Sequence, residues 1–161
     1  MEEIQLTLKI NGEAQRVGVQ PAESLNFTLR ERLGMTGTKK GCDTGGCGTC
    51  TVIIDGSSRY SCMTYTATLD GASIETIEGM AASDGALSKI QEAFVKEGGL
   101  QCGYCTPGFI LSVKALLDKN PTPSDDEIKE ALIGNICRCT GYTRILTSVR
   151  SVTREKANKM Q

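Results

Sequence analysis

The chain carries eight cysteines and no histidine, and the cysteines fall into two groups of four: Cys42-x4-Cys47-x2-Cys50-x11-Cys62 and Cys102-x2-Cys105-x31-Cys137-x1-Cys139. Close cysteine pairs chelate metals, and without histidine any such centre is all-thiolate, either structural zinc or iron–sulfur. C-x4-C-x2-C with a distant fourth cysteine is the spacing that holds a [2Fe–2S] cluster. The loop that would wrap it runs from Gly41 to Cys50 and has glycine at Gly41, Gly45, Gly46 and Gly48. Glycine has no Cβ and tolerates positive φ, so the backbone can close around a cluster and aim N–H groups at sulfur. Those donors matter because such a cluster carries a formal charge of about −2, or about −3 when reduced, and hydrogen bonds to sulfur help set its potential.

Thiolate-saturated iron has no open coordination position, so the chemistry indicated is electron transfer and no catalytic residue is assigned. The absence of histidine excludes a serine–histidine or cysteine–histidine pair, a Rieske cluster and histidine-ligated haem. Gly45 to Gly48 do not form a phosphate loop, because Lys39 and Lys40 lie on the wrong side and no G-K-[ST] follows. A net charge of −1 without a long basic run argues against nucleic acid as a partner. No apolar run reaches the ~20 residues needed to span a bilayer. The start, Met-Glu-Glu-Ile-Gln-Leu, is unlike a signal peptide or twin-arginine leader, so a cytoplasmic location and reduced thiols are expected rather than a disulfide framework. Structural zinc remains the rival reading of the cysteines.

The elements that must position these residues change character along the chain. Ile4, Leu6, Leu8 and Ile10 alternate on one strand face, and Asn11-Gly12 suits a type I′ turn into a second strand, Ala14 to Val19. Ser24 caps a short helix in which Leu25, Leu29 and Leu33 form one apolar stripe. Thr51 to Ile54 reads as a buried strand. Asp55-Gly56 turns the chain into a returning strand, Tyr60 to Thr66, that would deliver Cys62, and a last strand is expected near Ser73 to Ile77. From about residue 80 the period becomes helical, with Leu87, Ile90 and Phe94 on one helix and Ile110, Val113, Leu116 and Leu117 on a second. Thr106 should cap that second helix with Pro107 at its first position. Ser124-Asp125-Asp126-Glu127 is a capping box opening a third, and a fourth runs from Tyr142 through Ile145, Val149 and Val152. Its basic end, Arg150, Arg154, Lys156 and Lys159, reads as a solvated helix terminus.

The contexts Gln101-Cys102-Gly103-Tyr104-Cys105-Thr106-Pro107-Gly108 and Gly134-Asn135-Ile136-Cys137-Arg138-Cys139-Thr140-Gly141-Tyr142 resemble the small iron–sulfur subunit of the molybdenum hydroxylases, the xanthine oxidase family. The resemblance covers about residues 4 to 150. It implies an α+β chain: a β-grasp [2Fe–2S] ferredoxin-like domain over 1–78, then a four-helix [2Fe–2S]-binding domain over 79–161. By the same likeness, Cys42, Cys47, Cys50 and Cys62 hold one cluster, and Cys102, Cys105, Cys137 and Cys139 hold the other. Gln101 and Cys139 would lie beside the molybdopterin of a large subunit, while the first cluster would face FAD, or another acceptor, on a medium subunit, in a heterotrimer or a dimer of heterotrimers. Thr49 departs from the family, which more often has alanine there. The rival functions are a free-standing two-cluster ferredoxin and a zinc-stapled interaction module. The substrate of the complex cannot be read from this chain.

Overall fold

The computed structural model describes residues 2–159, with side chains described as far as Arg154. Strands β1 (Ile4–Ile10) and β2 (Glu13–Val19) form the opening hairpin, and β3 (Thr51–Ile54), β4 (Ser57–Tyr60) and β5 (Ser73–Glu75) complete a five-stranded sheet in the order β2-β1-β5-β3-β4. β1 and β5 run parallel; every other neighbouring pair is antiparallel. Both hairpins turn on two consecutive positive-φ residues, Asn11-Gly12 (51° and 90°) and Asp55-Gly56 (47° and 76°), the requirement of a type I′ turn. The alternation in β1 places Leu6, Leu8 and Ile10 in a core shared with Val19, Leu25, Leu29, Val52, Ile54 and Ile74.

Ser24 caps α1 (Leu25–Phe27) by accepting from the Phe27 N–H, as its sequence position suggests. The expected α-helical stripe does not continue, because Thr28–Arg32 widens into a π-helix closed by the Leu33 N–H on the Thr28 carbonyl. Leu25 and Leu29 still bury fully, while Leu33 ends at the edge of the core.

Helices α2 (Lys89–Lys96), α3 (Thr106–Lys119), α4 (Asp125–Leu132) and α5 (Thr143–Lys159) form the four-helix half around Phe94, Phe109, Val113, Ile128, Ile145 and Val149. Capping boxes start α2 at Ser88-Gln91 and α4 at Ser124-Glu127. Leu87 precedes the first of these caps and is exposed, so it is not part of the α2 stripe expected of it. Thr106 is the first residue of α3 rather than its cap, which is Cys105, and Pro107 follows inside the first turn. Arg150 is not simply solvated: its guanidinium makes a bidentate bond to Asp125, at 2.6 and 2.9 Å. The side chains of Lys156 and Lys159 lie outside the described residues.

A third cluster joins the two halves. β3 is buried on both faces: Val52 and Ile54 enter the sheet core, whereas Ile53 packs on Leu111 and Ala115 of α3, with Ile77 and Met80 against it. This packing holds the two cysteine-bearing regions in one arrangement. Among the described residues no helix is long and apolar enough to cross a membrane.

Candidate metal centres

The Gly41–Cys50 loop lies between the π-helical turn and β3. Gly45 and Gly48 adopt positive φ (77° and 68°), and a Cβ on Gly41 would meet Cys47 Sγ at 2.9 Å and Thr49 Oγ1 at 2.8 Å. Gly46 is open on all sides. Cys62 arrives not on a strand, as expected, but on the 3₁₀ turn Ser61–Met63 after β4 ends at Tyr60. Ser61 explains the change. It is fully buried, its N–H and hydroxyl both bond the Cys50 carbonyl (3.2 and 2.8 Å), and its Oγ accepts from Asn26 Nδ2 at 3.2 Å. Asn26 Nδ2 also donates to the Lys39 carbonyl at 3.3 Å, tying the approach to Cys42 to the turn bearing Cys62.

Cys50 and Cys62 stand with their sulfurs 3.4 Å apart. The Thr44 N–H reaches Cys42 Sγ at 3.4 Å and is the main reason that thiol is pulled down to about 6. Burial instead pushes Cys62 up to about 12, against an opposing bond from the Gly45 N–H. The N–H groups of the glycine-rich loop thus do point at sulfur.

The second group forms at the two helix junctions. Cys102 and Cys105 lie before and at the start of α3; Cys137 and Cys139 lie between α4 and α5. Cys102 and Cys139 are exposed with sulfurs 3.6 Å apart, while Cys137 is buried and bonds Cys105, whose burial pushes it up to about 12. Burial works against ionisation of Cys137 as well, yet the Thr140 hydroxyl (3.1 Å) and N–H (3.4 Å) outweigh it and hold that thiol below its ordinary range. Tyr142, at positive φ, accepts from the Cys137 N–H at 3.1 Å and meets Phe109 edge-on at 6.3 Å. It therefore packs and also fixes the loop. Gln101 and Arg138 are exposed.

All eight cysteines are free thiols. The sulfur separations far exceed a disulfide bond of about 2.05 Å. They approach the roughly 3.8 Å expected for two thiolates on one tetrahedral metal with bonds near 2.3 Å. Each group contains one close pair of sulfurs, Cys50–Cys62 and Cys102–Cys139, with the other two cysteines of the group nearby in the same loops. That pattern fits a centre with two metals and two thiolates on each.

The two loops touch directly, which sequence spacing could not reveal. The Ile136 N–H donates to the Cys47 carbonyl at 2.9 Å. Buried Asn135 donates through Nδ2 to the Gly48 carbonyl at 2.9 Å and accepts from Ser112 Oγ at 2.8 Å. Tyr60, whose phenol is pushed above its ordinary range by burial and by the charge of neighbouring cysteine sulfurs, donates to the Gly134 carbonyl at 3.0 Å. A Cβ on Gly48 would strike the Gly134 carbonyl, and one on Gly108 would strike the Gly48 carbonyl. On the other side, the Tyr104 hydroxyl donates to the Lys40 carbonyl at 2.7 Å.

Comparison with known proteins matches this two-part design. A 2Fe-2S iron-sulfur cluster binding domain is matched over residues 8–80 and a [2Fe-2S] binding domain over residues 76–150. The nicotinate dehydrogenase small FeS subunit of Eubacterium barkeri is 47% identical over 98% of this chain and 100% of its own. The crystal structure of quinoline 2-oxidoreductase from Pseudomonas putida 86 contains a chain with a TM-score of 0.91 at 39% identity, covering 98% of both. In the aldehyde oxidoreductase of Megalodesulfovibrio gigas, 43% identical, the matching region is only 16% of a longer chain. With both cluster-binding domains present and full-length relatives that are themselves iron–sulfur subunits, this chain belongs to the small iron–sulfur subunits of the molybdenum hydroxylase family, non-catalytic parts of oxidoreductases.

Proposed function

We propose that this chain is the internal electron wire of a molybdenum hydroxylase complex. Cys42, Cys47, Cys50 and Cys62 would ligate one [2Fe–2S] cluster, and Cys102, Cys105, Cys137 and Cys139 the other, with a division between modules near residue 78. Each cluster, when bound, supplies one-electron storage and release. The chain's own contribution is to hold four thiols per site, direct N–H and hydroxyl donors at the sulfurs, and fix the two loops against each other. The single observation that carries this reading is the placement of eight free thiols on two touching loops, with one close sulfur pair in each group, Cys50–Cys62 at 3.4 Å and Cys102–Cys139 at 3.6 Å.

By its relatives, the partner beside Cys102 and Cys139 would be a large molybdopterin-binding subunit, with Gln101 contacting the pterin. The first cluster would pass electrons to FAD on a medium subunit, in a heterotrimer or a dimer of heterotrimers, in the cytoplasm. Exposed apolar side chains support docking at both ends: Phe27, Met63 and Tyr65 border the first loop, and Ile133, Ile136 and Tyr142 the second. A free-standing ferredoxin would have less use for such surfaces.

Low-temperature EPR of the dithionite-reduced, anaerobically purified complex, with metal analysis, tests the reading. The expected result is two distinct S = 1/2 signals, about four irons per chain and molybdenum in a co-purifying larger subunit. A colourless preparation containing zinc and no sulfide overturns it, and a stable two-cluster monomer without partners turns it into the shuttle ferredoxin.

A further inference from the structure

The two cysteine groups are held by unequal means. The first is fixed from within its own module. Arg30 Nη1 donates to the Thr36 and Thr38 carbonyls at 3.0 and 2.9 Å, and Asn26 Nδ2 to the Lys39 carbonyl at 3.3 Å, on the approach to Cys42. The Thr51 hydroxyl closes on the Gly48 carbonyl at 2.6 Å, and the Ser61 hydroxyl on the Cys50 carbonyl at 2.8 Å. The second group comes from two segments, α3 with the loop before it and the loop between α4 and α5. Among the described residues, the one polar tie between these segments besides the cysteine sulfurs is the bond from Ser112 Oγ to Asn135 Oδ1, at 2.8 Å. Both segments rest instead on the first loop. The Tyr104 hydroxyl donates to the Lys40 carbonyl at 2.7 Å, the Ile136 N–H to the Cys47 carbonyl at 2.9 Å, and Asn135 Nδ2 to the Gly48 carbonyl at 2.9 Å. Gly108, in the first turn of α3, lies so close to the Gly48 carbonyl that a Cβ there would strike it. The backbone of Gly48 is thus wedged between the two halves of the second group.

We infer that the two centres fill in a fixed order: Cys42, Cys47, Cys50 and Cys62 are loaded first, and their closed loop is the template on which Cys102, Cys105, Cys137 and Cys139 are brought together. This rests on the two-cluster reading above. The direction of the seam bonds sets the order. Tyr104, Asn135 and Ile136 of the second module donate, and carbonyls of the first loop accept. Tyr60 donates the other way, to the Gly134 carbonyl at 3.0 Å, from a strand position paired with Thr51. Without the second module, the Gly48 carbonyl keeps its bonds from Thr51. Without a closed first loop, Asn135, 4% exposed, loses the acceptor of its amide, and a buried donor left unpaired is the costlier loss. Metal ligation closes a loop because binding free energy is also folding free energy. Coupling between two sites is reciprocal, so each centre stabilises the other by the same factor. The first site nevertheless stands on its own network, whereas the second needs the first loop in place. Loading from a thiolate-bound [2Fe–2S] donor exchanges ligands only. Four cysteine thiols replace four donor thiolates, each of which leaves with the proton of the thiol that displaced it, and iron and sulfide keep their oxidation states.

The test titrates the cluster-free full chain, under anaerobic conditions, with a glutathione-ligated [2Fe–2S] complex. Each mixture is desalted, analysed for iron, reduced with dithionite and read by EPR. With excess donor the wild type should hold about four irons and give two signals. Failure at this point overturns the two-cluster reading itself, and the order with it. Cys102→Ala assigns the signals, since it should keep the first with about two irons. With one equivalent of donor per chain, the first signal of the wild type should exceed the second at least about fivefold, the lower end of coupling between sites. At excess donor, Asn135→Ala should keep the first signal and weaken the second at least about fivefold, and Cys42→Ala should lose both. A chain that fails to fold also loses both, so the wild-type titration decides that case. Equal filling at one equivalent, a second signal that survives in Cys42→Ala, or loss of the first signal in Asn135→Ala or Cys102→Ala overturns the order.

Discussion

At the scale of single residues, threonines serve the sulfurs of both cysteine groups, Thr44 at Cys42 and Thr140 at Cys137, while Thr49 meets Cys47 more weakly. Thr140 places both its hydroxyl and its N–H on Cys137, at 3.1 and 3.4 Å, whereas Thr49 offers Cys47 a single contact, at 3.3 Å, in which either atom can donate. A donor to a ligand sulfur favours the more negative, reduced state, so removing it lowers the potential. Thr140→Val should therefore lower the midpoint of the second centre by on the order of 40 mV, the equivalent of one hydrogen bond worth about 1 kcal/mol in a one-electron couple. EPR-monitored redox titration measures it, and the first centre serves as the internal reference. Thr49→Ala should shift that first centre less; an unmoved midpoint there shows that its hydroxyl is not coupled to the redox site. The cysteines themselves were legible from spacing and type, because metal chelation is written in short intervals. Asn26, Ser61 and Asn135 were not, since a buried amide or hydroxyl that bonds a carbonyl dozens of residues away leaves no local pattern.

At the scale of elements, the places where sequence periodicity misled are places where a polar network overrides it. Tyr60 to Thr66 reads as a strand, yet the Ser61 bonds to the Cys50 carbonyl coil the chain into a 3₁₀ turn. The Leu25-Leu29-Leu33 stripe reads as a plain helix, yet it widens beside a cluster of side chains around Glu23, a carboxylate whose side chain is only 6% exposed. Burial pushes that carboxyl up, but bonds from Arg32, Thr28 and the Gln20 N–H outweigh it and hold it below the ordinary glutamate range. Thr28 also shares a 2.7 Å hydroxyl contact with Thr66, so the network clips the helical turn to the chain beyond Cys62. A carboxyl depressed in the folded state contributes stability above its unfolded value, near 4.3, and loses it as pH falls through the lower folded value. Glu23→Gln should therefore cost about 1–2 kcal/mol at pH 7, with the gap between wild type and variant narrowing as pH falls below the unfolded value near 4.3. Urea unfolding followed by circular dichroism between pH 3.5 and 7 checks this, and a gap that stays constant across that range shows that the charge of Glu23 contributes nothing. By contrast, the Asn11-Gly12 type I′ turn, the Asp55-Gly56 turn and the Ser124 cap were legible, because each is decided by residues within four positions of one another.

At the scale of the whole molecule, the question is what makes two small modules one relay. Each has its own apolar cluster, and neither the 3.6-residue nor the two-residue period says how the two lie together. The join was legible only in the reading of Thr51 to Ile54 as a buried strand, since Val52, Ile53 and Ile54 are apolar in succession, the mark of a strand covered on both faces. The structure supplies the second cover, with Ile53 against Leu111 and Ala115 of α3 and the hydrogen-bonded seam of Asn135 and Tyr60 at the end of the same helix–strand contact. Apolar packing thus sets the distance between modules, and the polar seam sets the register of the loops. Leu111, 1% exposed, tests the first of these without touching a cysteine or a seam hydrogen bond. Leu111→Ala should leave a cavity costing about 2–5 kcal/mol. Because that loss falls on the join rather than on either module, the holo chain should change from one cooperative denaturant transition to two, with the visible absorbance of the clusters and the far-ultraviolet helix signal separating at different midpoints. A single transition that merely shifts would mean that the modules stay coupled through the seam alone, and that α3 against β3 is packing without a part in the relay's geometry.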